Sequence, residues 1–138
     1  MGFFDTIFGK KGSNSEEKEG NEKKAWAWEP LMTVEQLEDV VRESHSVPVV
    51  IFKHSTRCGI SRMAYRNFEN DMNANGIEVR FYYLDLLSYR EVSNAVASRL
   101  GVAHESPQLL LLKDAKVVYH ESHGNISAQR LRELLEEA

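Results

Sequence analysis

The chain has 138 residues, 42% hydrophobic and 28% charged, with a net charge of −4. This is enough for one domain with a real core; the mild acidic balance argues against a nucleic-acid binder, which carries a basic excess, and no apolar run nears the roughly 18 residues that span a membrane. The single cysteine excludes an intramolecular disulfide and an all-cysteine metal site within one chain, and points to a reducing, cytoplasmic setting.

Residues 1–24 are expected to form a flexible tail. The stretch "KKGSNSEEKEGNEKK", 10–24, holds no apolar residue and cannot offset its ordering entropy by burial. Before it, Phe3, Phe4, Ile7 and Phe8 share one face of a short helix, an amphipathic start suited to a partner, to the domain or to a membrane surface. This start lacks the basic region and cleavage site of a signal peptide, and "MGFFDT" meets the loose N-myristoylation pattern. Residues 25–138 are expected to fold as the domain.

"AWAWEPL" reads as a short strand, with Trp26 and Trp28 as core packing. Thr33 is an N-cap with Gln36 as its capping-box partner, and Val34, Leu37, Val40 and Val41 give a helical stripe up to about Ser44. "VPVVIF", 47–52, is a buried strand. After Cys58 a second helix follows, with Ile60, Met63, Ala64, Phe68 and Met72 as its apolar stripe and Gly76 as its C-terminal cap. "IEVRFYYLDL" is the next strand. Ser88 caps a third helix through Leu100, with Val92, Val96 and Leu100 inward, and Gly101 ends it. "QLLLLKDAKVVYHE" reads as a hairpin turning at "KDAK". Ser127 caps a last helix that turns Leu131, Leu134 and Leu135 inward. The alternation of helix and strand predicts an α/β fold. Its central sheet is mixed, with four to five strands and about four flanking helices, parallel where helices cross over and antiparallel at the hairpin.

Cys58 lies in "KHSTRCGIS", 53–61, where a buried strand ends and a helix begins. Ligands and chemistry gather at the carboxyl ends of strands in open α/β sheets. A helix N-terminus offers free N–H groups and partial positive charge to a thiolate, which is the nucleophilic form. Lys53, His54 and Arg57 add positive charge in sequence, Gly59 permits close approach, and Ser61 is placed to donate its hydroxyl to the sulfur. A buried cysteine would act as a small hydrophobe, but the polar neighbours favour a reactive one. Ahead of the hairpin strand stands "ESPQLLLL". Pro107 there is either an ordinary strand-start proline or part of a cis Ser106–Pro107 bond. The five histidines show no zinc-ligand spacing, and no metal site is expected.

From about Trp26 to Glu137 the order of elements resembles the thioredoxin superfamily. Within it, "FKHSTRCGIS" resembles the monothiol bacilliredoxins of the bacillithiol system, whose signature is close to "KHST-x-C-P-I-S". The match covers Lys53, His54, Ser55, Thr56, Cys58, Ile60 and Ser61; Gly59 departs from the family's proline. The resemblance implies a cytoplasmic bacterial thiol–disulfide oxidoreductase, and the chain is expected to be a monomer. It would remove bacillithiol from S-bacillithiolated client proteins, with bacillithiol as co-substrate and no tightly bound cofactor. Cys58 would be the nucleophile; on the local sequence, Arg57, Gly59, Ser61 and His54 are the residues expected to stabilise its thiolate. Ser106 and Pro107 would match the cis-proline segment that pairs with substrate backbone. With one cysteine, resolution falls to an external low-molecular-weight thiol or a second oxidoreductase.

Two rival readings stand beside this one. "CGIS" is one residue from the "CGFS" of monothiol glutaredoxins, which bind a [2Fe–2S] cluster, although "SHGNIS", 122–127, occupies the place of their glutathione motif. A non-catalytic adaptor on the same scaffold would leave Cys58 incidental.

Overall fold

The computed structural model describes residues 26–137. The expectations for the tail, 1–24, lie outside the described residues. The elements are β1 (Trp28–Pro30), α1 (Val34–Glu43), β2 (Val49–His54), α2 (Gly59–Asp71), β3 (Arg80–Asp85), α3 (Arg90–Leu100), β4 (Gln108–Lys113), β5 (Lys116–Ser122) and α4 (Ala128–Glu136), with one 3₁₀ turn at His123–Asn125. The five strands form one sheet in the order β1-β3-β2-β4-β5. β3 runs parallel to β1 and β2, while β4 is antiparallel to β2 and β5 to β4. This is the expected mixed α/β layout.

Central β2 explains why both faces need covering. Val49 and Ile51 join Leu37, Val40, Val92 and Val96 in one apolar cluster, beneath α1 and α3. Val50 and Phe52 join Phe68, Leu131 and Leu135 in the other, beneath α2 and α4. Successive side chains alternate across the sheet, so a strand buried on both faces is apolar throughout. Trp26 and Trp28 pack as expected: Trp26 lies 4.3 Å from the Phe81 ring and Trp28 stacks on Tyr65 at 5.7 Å.

Local signals hold where their partners are local. Thr33 Oγ1 accepts from the Gln36 N–H at 3.0 Å, though the Gln36 side chain accepts from Met32 rather than from Thr33 itself. Ser127 Oγ accepts from the Arg130 N–H at 3.1 Å. The hairpin turns at Asp114 (φ 53°) and Ala115 (φ 66°), the paired positive values of a type I′ turn. Ser44 braces that turn, its carbonyl accepting from Asp114 and its hydroxyl from Ala115, both at 2.8 Å.

Three expectations are corrected. Ser88 does not cap α3: its hydroxyl and N–H both donate to the Asp85 carboxylate, and the helix starts from Tyr89 with no side-chain cap. Gly76 does not end α2, because Met72 already turns extended (ψ 129°) and buries its side chain. Gly76, at φ +78°, instead makes the turn towards β3. The apolar stripe of α2 is only half a core stripe. Phe68 is buried, but Ile60 is 66% and Met63 65% exposed.

Candidate active site

Strand β2 ends at His54, and residues 55–58 make a turn in which the Cys58 N–H donates to the Ser55 carbonyl at 3.2 Å. Cys58 is the N-cap of α2, with extended backbone (φ −98°, ψ 124°) and no side-chain cap bond. Its thiol is free and exposed. The Cys58 carbonyl accepts from Arg62 N–H at 2.9 Å, the first bond of the helix. Helix geometry leaves the N–H groups of Gly59, Ile60 and Ser61 without intrahelical acceptors, beside the sulfur-bearing residue. An added side chain at Gly59 would meet nothing within 4 Å, so the space before the helix is open.

Ser61 and His54 act differently from expectation. Ser61 is wholly buried; its Oγ accepts from the Ser55 N–H at 2.9 Å and lies 2.8 Å from His54 Nδ1. Its hydroxyl therefore ties the turn to the strand end instead of reaching the sulfur. His54 is buried, stacked on Tyr65 at 4.8 Å. Burial pushes its pKa below the ordinary imidazole value, against the opposing pull of Asp85. A histidine held neutral supplies no positive charge to a thiolate, so its contribution is positional. Arg57 is exposed and makes no ion pair among the described residues.

The antiparallel register sets Gln108 opposite Lys53, which brings the start of β4 alongside the end of β2. The Ser106–Pro107 bond preceding it is cis, resolving the two readings of that proline. Lys53 is 0% exposed, and its Nζ lies 2.8 Å from His104 Nδ1. Burial lowers the Lys53 pKa to about 8. Burial and then the neighbouring Lys53 push His104 down as well, which leaves its imidazole the natural acceptor. Gln108 Nε2 donates to the Ala103 carbonyl at 3.1 Å. Two side chains facing each other across the sheet thus grip residues 103 and 104, next to the cis bond. Ser106 Oγ and Gln108 Oε1 are buried without a partner, so this polar pocket is not fully satisfied.

Sequence reasoning missed Lys53, His104 and Gln108 as a unit. The one usable signal was that a lysine continues the alternation of a buried strand. Among the described residues no cluster of three His, Cys, Asp or Glu side chains is arranged to hold a metal, and no helix is long and apolar enough to cross a membrane.

Beside Cys58 the surface is concave. A cleft of about 580 Å³ runs along Gly59, Ile60, Arg62, Met63 and Arg66. A smaller hollow of about 130 Å³ shares Ile60 and Met63 and is closed by Gly124 and Ile126.

Residues 29–131 match the family described as monothiol bacilliredoxin BrxC. Among solved structures the chain is similar to a candidate oxidoreductase with a thioredoxin fold. That likeness is 31% identical, covers 75% of this chain and 89% of that one, and has a TM-score of 0.66. It is similar to Fasciola hepatica thioredoxin at 27% identity, covering 78% and 96%, with a TM-score of 0.58. Malassezia sympodialis thioredoxin, at 18% identity, 81% and 90% coverage and a TM-score of 0.62, shares the fold.

Proposed function

The chain belongs to the monothiol bacilliredoxin family and is a thiol–disulfide oxidoreductase; from that premise we propose that it strips bacillithiol from mixed disulfides on client proteins, with Cys58 as the nucleophile. One observation carries this reading: an exposed cysteine stands as the N-cap of a helix within the matched span, in a chain with no second cysteine.

The Cys58 thiolate attacks the bacillithiol sulfur of the mixed disulfide. The old S–S bond breaks, the client sulfur leaves with the electron pair and takes a proton from water, and Cys58 holds bacillithiol in a new disulfide. An external thiol then attacks that same bacillithiol sulfur. A symmetrical or mixed small disulfide departs, and Cys58 is returned as thiolate. Bacillithiol is thus a co-substrate, and no tightly bound cofactor takes part.

The free N–H groups at the start of α2 and its positive end favour the sulfur anion, and the Arg57 cation adds to them. Gly59 leaves room for the incoming sulfur. Ser61 and His54 keep the 55–58 turn from fluctuating, so the thiol meets the disulfide in one orientation. Ser106 and Pro107 offer backbone to an extended client segment, and Lys53 and Gln108 hold the loop before Ser106 in place through His104 and Ala103. The protein works as a cytoplasmic monomer.

Cys58→Ser tests the reading. The full chain is mixed with an S-bacillithiolated client and free bacillithiol, and the released client thiol is counted. Wild type should release it and show a bacillithiol-mass adduct on Cys58; the serine variant should do neither. Release by the serine variant sinks the proposal.

A further inference from the structure

The α2 surface one turn beyond Cys58 is left uncovered in an unusual way. Ile60 and Met63 continue the apolar spacing of the helix, yet are 66% and 65% exposed, the most exposed of the large hydrophobic side chains among the described residues. Both line the cleft over Arg62 and Arg66 and the hollow against Gly124 and Ile126. Large apolar side chains exposed together in a concavity mark an interaction site. A helix that breaks its own core pattern beside reactive chemistry is where a functional cause is expected.

The charge on this surface is equally lopsided. The chain is acidic overall, with a net charge of −4, but residues 57–66 carry Arg57, Arg62 and Arg66 and no acid. Arg62 Nη1 donates to the Thr56 carbonyl at 3.3 Å and so is partly engaged in the turn. Arg57 and Arg66 make no ion pair among the described residues. An apolar hollow that adjoins a cleft lined by an unpaired guanidinium, that of Arg66, is complementary to a segment that carries both an apolar side chain and a carboxylate.

We propose that this face of α2 selects clients by sequence: an apolar residue near the modified cysteine fills the hollow between Met63 and Ile126, and a nearby carboxylate pairs with Arg66. The occupant is therefore a client protein segment, extended and acidic, and not a second copy of this chain. The inference rests on the proposed action on protein mixed disulfides. It adds a choice among clients that the thiol alone does not make.

The test uses the full chain and three peptides, each with one cysteine in a mixed disulfide with bacillithiol. The first carries leucine and glutamate near that cysteine, the second leucine and lysine, the third serine and glutamate. Wild type should favour the first over the second by about three- to fivefold in kcat/KM, the scale of one exposed ion pair. That preference should shrink as salt is raised. Arg66→Glu should reverse the order of the first two peptides, and Met63→Ser should erase the preference for the first over the third. Equal rates for all three peptides with wild type overturn the inference, as does an Arg66→Glu variant that keeps the wild-type order. A wild type that reacts with 2,2′-dithiodipyridine but releases thiol from none of the peptides overturns instead the proposed function on which the inference stands.

Discussion

The two halves of β2 are equally buried and chemically opposite. Val49, Val50, Ile51 and Phe52 are wholly buried and feed the two apolar cores. Lys53 and His54 continue the same alternation with 0% and 4% exposure, but they set an ammonium and an imidazole where the pattern sets hydrocarbon. Burying such groups is unfavourable unless they find partners, and each finds one from another part of the chain: Lys53 meets His104 and His54 meets Ser61. The first half of the strand supplies stability. The second half gives up some of it to fasten two segments, the 55–58 turn and the loop that holds His104, to the carboxyl end of β2.

The largest expected effect comes from the apolar half. Phe52→Ala removes a ring surrounded by Trp28, Tyr65 and Phe68 and should lower unfolding free energy by about 3–5 kcal/mol, read from urea denaturation. Exchange per folded molecule should persist, because the ring touches the core and not the thiol. Loss of exchange in a folded variant would break the division between the two halves.

Lys53→Met probes the polar half on its own terms. The native pKa of Lys53, about 8, lies below its usual 10.5, so between those values the folded chain binds fewer protons than the unfolded one. Wild-type stability should therefore rise with pH across that window, by up to about 3 kcal/mol, and the methionine variant should lack this rise. Tyr65 and Tyr82, whose pKa values burial raises, act in the opposite direction above pH 10. They act in both proteins, so the difference in urea midpoints isolates Lys53. Parallel pH profiles would mean that the ammonium is not buried.

Ser61→Ala should have the smallest effect. It strips the Ser55 N–H of its acceptor and His54 Nδ1 of its partner, at a cost of about 1–3 kcal/mol. Thermal melting measures that cost, and faster amide hydrogen exchange at Ser55 should report the loosened turn. A turn that stays protected would show that the serine does not tie it down.

Much of the fold was legible because its signals are local. Thr33 and Ser127 cap helices with N–H groups three residues away, and the Val49–Phe52 run announces a strand buried on both sides. Ser88 misled because a carboxylate three residues back competes for its hydroxyl. Ile60 and Met63 misled because helical spacing tells which residues share a face but not whether anything covers it.

At the site the same divide holds. The thiol, its place between strand and helix, and the dependence of one cysteine on an outside thiol follow from residue order, since they need no knowledge of distant partners. So does the α/β alternation, because strand and helix periods come from backbone geometry that each segment carries with it. The cis form of Ser106–Pro107, the burial of Lys53 under a histidine 51 residues away and the turning of Ser61 from sulfur to imidazole were decided only by tertiary structure. The last two depend on which atoms the folded chain brings within about 3 Å, the range over which hydrogen bonds form, and the spacing of residues along the chain does not determine that.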